Sequence, residues 1–409
     1  MNNPAKPKLA VLLSRIPFPL EKGDKLRAYH QIKHLSKDYE IYLCAVCDRN
    51  ADDKQAKAEL EPDCKELFFV RIPLLFKIIG VVQSLISARP LQNGLFYNCF
   101  TRKQIDRWIS KINPDAVYVQ LHRMAPYADS LNIPKVLDFQ DAFSMGVFRR
   151  LKTISPLLRP VYYLEYRLLK NNEQRLLKRY PFTTIISRVD RRWIDPENVH
   201  DVQLVLNGVD FSYYTPSATP KDFEVLFTGN MGYMPNIDAS EFLVNEIMPL
   251  VWERYPETQV VLAGATPHAR VSALKSDRVT VTGFVPDLRP FYERAKLFVA
   301  PLRMGSGLQN KLLEAMAMNV PSITSSIANN SLKATNNQEI IVCEQAEEYA
   351  QSIIGFLSNP SLADTISQHA FSFVNDHFDW KYQVEQLSQI IHTAMEKNGQ
   401  STDYTHISN

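Results

Sequence analysis

The stretch LFVAPLRMGSGLQNKLLEAMA, residues 297–317, decides how the chain is read. Leu297–Ala300 is an apolar run of strand length. Pro301 ends it, Gly305 and Gly307 form a turn, and Leu308–Ala317 follows as a helix. Strand, glycine turn and helix together make the unit of a parallel sheet with crossover helices. The same rhythm extends outward in both directions. In the second half, strands are expected at Gln203–Leu206, Val225–Phe227, Gln259–Leu262, Val279–Val281, Leu297–Ala300 and Ser322–Thr324. Helices fill the gaps, at Ile237–Arg254, Leu288–Ala295 and Leu308–Ala317. In the first half, strands are expected at Lys8–Leu13, Ile41–Val46, Leu67–Val70, Ala116–Val119, Val136–Phe139 and Thr183–Ile186, with a helix at Lys25–Ser36.

Two successive doubly wound α/β units account for this pattern, with ligands expected in the crevice between them, beyond the carboxyl ends of the strands. The expected divisions are a first domain at 1–200, a second at 201–378, a helix at 379–398 and a disordered tail at 399–409. The join falls near Asp195–Asp210, where Asp195-Pro-Glu-Asn and Asn207-Gly208 are turn sequences.

Composition agrees with a globular chain of two cores: 45% of residues are apolar and 22% charged. The net charge of +2 excludes bulk nucleic-acid binding. The N-terminal run Leu9–Leu13 is too short for an export signal, and no stretch is long and apolar enough to span a bilayer. A cytoplasmic protein is expected, with peripheral contact at the inner face of the membrane as an extension. Cys44 and Cys47 form a C-x-x-C on a strand. Residues three apart there point to opposite faces, so core packing is preferred to metal or redox chemistry.

The loop at 301–309 carries the strongest chemical signal. Gly305 and Gly307 permit close backbone approach to a ligand, with Ser306 and Leu308 beside them. A helix starting near Gly307 presents free N–H groups and a dipole to a phosphate. Arg303 and Lys311 add cations of the kind that a diphosphate leaving group needs. Glu314 is placed to accept ribose hydroxyls.

These residues resemble the donor motif of the large retaining GT-B glycosyltransferase family (family 4-like, group 1). The chain is more closely similar to sugar transferases of bacterial exopolysaccharide and PEP-CTERM systems. Supporting stretches are SRIPFPLEKGDKLR (14–27), LNGVD (206–210), FTGNMGYMPN (227–236) and VTGFVPD (281–287). The resemblance implies two Rossmann-like domains facing across a cleft, with 1–200 on the acceptor side, 201–378 on the donor side and the helix at 379–398 packing back toward the first domain. It also implies sugar transfer with retention from a nucleoside-diphosphate sugar to a hydroxyl of a glycan or lipid-linked acceptor, without a metal or other cofactor. Gly229, Asn230, Phe284 and Val285 then join the donor site, the last two near the base. Two departures stand out. Ser306 replaces the family's first Glu, and Asn230 with Pro235-Asn236 replaces its Arg/Lys dyad. Arg303 and Lys311 are expected to supply the missing charge. An inactive nucleotide-sugar-binding scaffold and an epimerase of the same fold are the competing readings.

In the first half, Gly23, Asp24 and Arg27 follow the loop after the first strand and are expected on the acceptor side. His122, just past the strand at 116–119, is expected to hold a hydroxyl of the donor sugar. Asp138 and Asp141, past the next strand, are expected to orient the acceptor, or one of them caps a helix. The apolar stretch Arg71–Ile86, with Lys77 and Arg89 nearby, and the basic region Arg149–Arg179 either dock on an anionic membrane or form a buried helix and a solvated basic one.

Overall fold

The computed structural model describes residues 5–20, 22–47, 53–151, 154–217, 219–304 and 307–403. The chain divides into two compact units. The first holds residues up to Leu206 together with those from Gln383 onward, and the second spans Asn207–Tyr382.

In the first unit seven parallel strands lie in the order β3-β2-β1-β4-β5-β6-β7. They are β1 (Lys8–Leu13), β2 (Glu40–Cys47), β3 (Glu66–Arg71), β4 (Ala116–Gln120), β5 (Lys135–Asp138), β6 (Phe182–Ile185) and β7 (Val202–Leu204). The central strands are covered on both faces, which is why they read as unbroken apolar runs. Leu9, Leu12, Val117 and Val119 have no exposed surface. β7 corrects the sequence reading, which opened the second domain with Gln203–Leu206. The short helix Arg188–Ile194 returns the chain alongside β6, so β7 closes the first sheet.

In the second unit six parallel strands lie in the order β10-β9-β8-β11-β12-β13. They are β8 (Phe223–Thr228), β9 (Val260–Ala263), β10 (Val279–Val281), β11 (Ala295–Ala300), β12 (Ser322–Thr324) and β13 (Ile341–Val342). The segment expected as one helix from Ile237 to Arg254 is interrupted. Met234–Phe242 is α-helical, Leu243–Ile247 forms a π-turn, and Met248–Arg254 resumes the α-helix. Pro249 has no N–H to give to the preceding turn, and a π-turn absorbs that break without ending the helix.

The last helix, Trp380–Asp403, runs five residues past the expected end at 398. Within the first unit, Gln383 Oε1 accepts from Leu206 N at 2.8 Å, and the Tyr39 hydroxyl donates to Ser388 O at 3.1 Å. The rest of the expected tail, 404–409, lies outside the described residues. Cys44 and Cys47 both lie on β2. Among the described residues no group of three or more His, Cys, Asp or Glu is placed to hold a metal ion. Nor is any helix there long and apolar enough to cross a membrane.

Candidate active site

All strands in each sheet are parallel, so every strand-end loop of a unit emerges at one edge. In both sheets the strand order reverses beside the first strand, at β1/β4 and at β8/β11. Open parallel sheets bind ligands at such reversals, where neighbouring loops diverge.

At β8/β11 the loop after β8 begins with Gly229 at φ +152°. A Cβ on Gly229 would lie 2.7 Å from Asn236 Nδ2 and 2.9 Å from Lys311 Nζ, so only glycine fits there. Asn230 Oδ1 accepts from Gly232 N at 2.9 Å and from the Thr266 hydroxyl at 2.7 Å, which ties this loop to the one after β9. Asn236 Nδ2 donates to Asn230 O at 2.9 Å. Lys311 enters from the first turn of the helix after β11: Nζ donates to Asn236 Oδ1 at 2.5 Å and lies 4.5 Å from the centre of the Phe227 ring. Burial pushes its pKa down to about 7, with Glu314 opposing the shift. A cation so poorly solvated gains most from an anionic ligand.

Glu314 is half-buried, one turn further along the same helix. It accepts from the Tyr292 hydroxyl at 2.9 Å, and that hydroxyl lies 2.8 Å from Thr228 Oγ1. Burial raises its carboxyl pKa, while Tyr292, Lys311 and Tyr214 pull it back. With two tyrosines on one carboxylate, lone pairs remain for further donors.

The helix after β11 starts later than the sequence reading placed it. Gln309 is extended at φ −93°, ψ 97°, and the helix runs Asn310–Ala317. Its first free N–H groups therefore belong to Asn310 and Lys311, while Gly307 and Leu308 lie in the approach. Asn310 Oδ1 is buried without a hydrogen-bond partner. Gly305 and Ser306 lie outside the described residues. Arg303 is turned along the Met234–Phe242 helix: it forms a fork with Asp238 at 2.8 and 3.0 Å, pairs with Glu246 at 3.5 Å, and stacks 4.4 Å from the Phe242 ring. Its charge is thus balanced locally, while Lys311 occupies the strand end. Phe284 and Val285 follow β10, two strands from β8 in the same sheet. Gly283 turns that loop at φ +72° and leaves Phe284 70% exposed.

In the first unit Gly23 opens the helix Gly23–Leu35, and Asp24 is ion-paired with Arg15. Arg27 and Asp138 are fully buried against each other, with Nε to Oδ2 at 2.6 Å. The Tyr118 hydroxyl lies 2.8 Å from the same oxygen, and Gln140 N donates to Asp138 Oδ1 at 3.1 Å. Arg27 also donates to Leu206 O at 3.1 Å. This pair ties the first helix to the ends of β4 and β5, and neither side chain is exposed.

Two other groups do have spare capacity. His122 is 1% exposed, and both of its ring nitrogens are without hydrogen-bond partners. Burial and the neighbouring Arg123 hold its pKa well below the usual imidazole value, so it is neutral at pH 7. Its ring meets Phe143 edge-on at 4.8 Å. Asp141 is half-buried. Burial, with Asp190, Asp138 and Asp24 nearby, pushes its carboxyl up to about 7 against the pull of Arg27.

Sequence reasoning missed Asn236 as the partner of Lys311, the tyrosines around Glu314, and Arg123. Arg123 is buried, with its pKa pulled down to about 10, and sits over the Phe96 and Phe143 rings at 4.7 and 5.1 Å. Its place beside His122, past a strand end, was the available signal.

Two parallel sheets with these strand orders define two Rossmann-like domains, and the fold is GT-B-like. The fold is shared with sucrose-phosphate synthase of Thermosynechococcus elongatus, at a TM-score of 0.69 and 15% identity over 95% of this chain and 100% of that one. It is shared also with the Anabaena protein HepE, solved in complex with UDP-glucose, at a TM-score of 0.64 and 13% identity over 94% and 99%. By sequence, residues 222–359 match the family Glycosyl transferases group 1. A protein of the cps region of Klebsiella pneumoniae is 20% identical over 91% of this chain and 97% of its own length. The lipopolysaccharide core mannosyltransferase LpcC of Rhizobium leguminosarum is 24% identical over 52% of this chain and 65% of its own length. Residues 222–359 thus resemble glycosyltransferases of group 1 type, and the chain is similar at low identity to a cps-region protein and to a mannosyltransferase of lipopolysaccharide core biosynthesis.

Proposed function

We propose that the protein transfers a sugar from a nucleoside-diphosphate sugar to a hydroxyl of a glycan or lipid-linked glycan, in the assembly of a bacterial exopolysaccharide or other surface polysaccharide. The observation that carries this reading is the meeting of Lys311, Asn236 and Gly229 at the end of β8, with Glu314 one helical turn beyond Lys311.

Lys311 and the N–H groups of Asn310 and Lys311 take the diphosphate, and Gly229 leaves room for its oxygens. Glu314, held by Tyr292, accepts the ribose hydroxyls. Phe284 and Val285 border the base. Charge builds on the phosphate oxygen as the bond from C1 of the sugar to that oxygen breaks, and Lys311 stabilises it. The acceptor oxygen bonds to C1 on the same face, so configuration is retained. Its proton passes to the departing phosphate oxygen. No metal is assigned a part. In the first unit, neutral His122 binds a sugar hydroxyl, and Asp141 with the Gly23–Asp24 turn faces the acceptor. Arg27 and Asp138 serve by fixing those loops. UDP is the first nucleotide to try, since HepE was solved with UDP-glucose.

A thermal-shift screen of UDP-, GDP- and ADP-sugars and their diphosphates tests this reading. At least one is expected to raise the Tm of the wild type and not that of Lys311→Met. Absence of a shift with every nucleotide would overturn the donor site.

A further inference from the structure

The helix Leu74–Ile86 in the first unit is packed inside out. Its buried residues are Gly80 and Ser84. Leu74, Leu75, Ile78, Val82, Leu85 and Ile86 are each more than half exposed. At 3.6 residues per turn these six fall within an arc of about 120°, opposite Gly80 and Ser84. A helix of a water-soluble domain normally buries such a stripe. Here the small face is fixed inward: a Cβ on Gly80 would lie 2.2 Å from Gly94 O, and one on Gly94 would lie 2.3 Å from Gly80 O. The backbones of this helix and Leu91–Gly94 therefore touch, and rotating the stripe inward would break that contact.

The chain segments around it carry an excess of cations, with Arg102 paired to Asp106 at 3.5 Å. Residues 67–105 contain Arg71, Lys77, Arg89, Arg102 and Lys103 and no Asp or Glu. Residues 142–164 repeat the composition, with Arg149, Arg150 and Arg159 and no acid among the described residues. There Leu157, Leu158, Val161 and Tyr163 are at least half exposed. Glu165 joins the two segments and is turned inward. It accepts from Leu91 N at 2.7 Å and from Gln92 N and Nε2 at 3.3 and 3.2 Å. At the C-terminal end of the stripe a cavity of about 320 Å³ is lined in part by Gln83, Ser84, Ser87, Arg89 and Tyr97.

We infer that this face seats the protein on an anionic phospholipid bilayer. The aliphatic stripe enters the acyl boundary, the cations lie at headgroup level, and Arg89 with Ser84 and Ser87 receives a lipid phosphate in the cavity. Aliphatic side chains flanked by cations, with the nearby carboxylate turned inward, match a surface that is apolar within and negative at its rim. The inference stands apart from the donor-site reading, because none of these residues belongs to that site.

The full chain is sedimented with phosphatidylcholine vesicles, with and without about 30% phosphatidylglycerol. Binding to the anionic vesicles alone, weakened by salt, is expected. Ile78→Glu/Val82→Glu should weaken partitioning at least about tenfold, and Arg89→Ala by about three- to tenfold. Both changes lie on exposed or cavity-lining positions, so the wild-type melting curve should persist, which also serves as the check on folding. Failure of the wild type to bind anionic vesicles overturns the inference, as does a folded double variant that binds equally well. A concentration-dependent dimer that the double variant abolishes, with no vesicle binding, overturns it in favour of a second copy covering the stripe.

Discussion

Lys311 makes the affinity for a nucleoside diphosphate depend on pH between 7 and 9. The folded protein holds this ammonium at about 7, below its ordinary 10.5, because burial beside Phe227 costs it solvation. A bound diphosphate supplies the missing counter-charge and returns the pKa toward the ordinary range. The sign follows from this. Below pH 7 the empty site already carries the charge. Above pH 7 binding must first take up a proton, so affinity falls as pH rises. With a free-site pKa of about 7, the charged fraction drops from about one half at pH 7 to about one hundredth at pH 9. Kd should rise about 50-fold, or about 2.3 kcal/mol, over that interval, with about tenfold as the floor if water enters the site. Titration calorimetry at pH 7, 8 and 9, in buffers of different ionisation enthalpy, measures both Kd and proton uptake. Lys311→Arg, which stays charged throughout, should flatten the profile. Lys311→Met should bind weakly with no slope. A flat wild-type profile, or an unchanged slope in Lys311→Met, would refute this reasoning.

Other expectations concern single groups. Gly229→Ala forces a Cβ against Asn236 and Lys311 at a positive φ, so it should cost about 1–3 kcal/mol in urea unfolding and weaken nucleotide binding as well. Tyr292→Phe removes a hydroxyl between Thr228 and Glu314 and should lower stability by about 1–2 kcal/mol, with a further loss in nucleotide affinity. Asp138→Ala leaves Arg27 charged and buried, and a loss of about 3–5 kcal/mol is expected by chemical denaturation. Asp141 is held near 7 in the folded protein, above its ordinary 3.8, so folding loses stability as pH rises from about 4 to 7. Asp141→Asn should therefore raise the Tm at pH 8 and leave it nearly unchanged at pH 4.

The sheets were legible because parallel strands buried on both faces are written as unbroken apolar runs. KLAVLL at β1 and LFVA in β11 leave little choice. β13 was missed because two residues carry no period. β7 was given to the wrong sheet because a strand's neighbours depend on the chain's return path, which residue pattern does not encode. The π-turn at Leu243–Ile247 had a local cause in Pro249, but the outer helical periodicity masked it.

At the site, the spacing that puts Lys311 and Glu314 on neighbouring turns could be read directly. What each side chain meets across the fold could not. The fork from Arg303 to Asp238 spans 65 residues and the Lys311–Asn236 bond 75. The burial of Arg27 against Asp138, 111 residues apart, was equally invisible, because an Arg on a first helical turn looks solvated when read alone.

Hydrogen exchange measured by mass spectrometry, with and without the nucleotide that the thermal screen selects, tests the central claim most directly. Protection concentrated in peptides covering 227–236 and 307–317 is the predicted result, and it should be lost in Lys311→Met. Saturating nucleotide that leaves both segments exchanging as in the free protein would contradict the donor site described above.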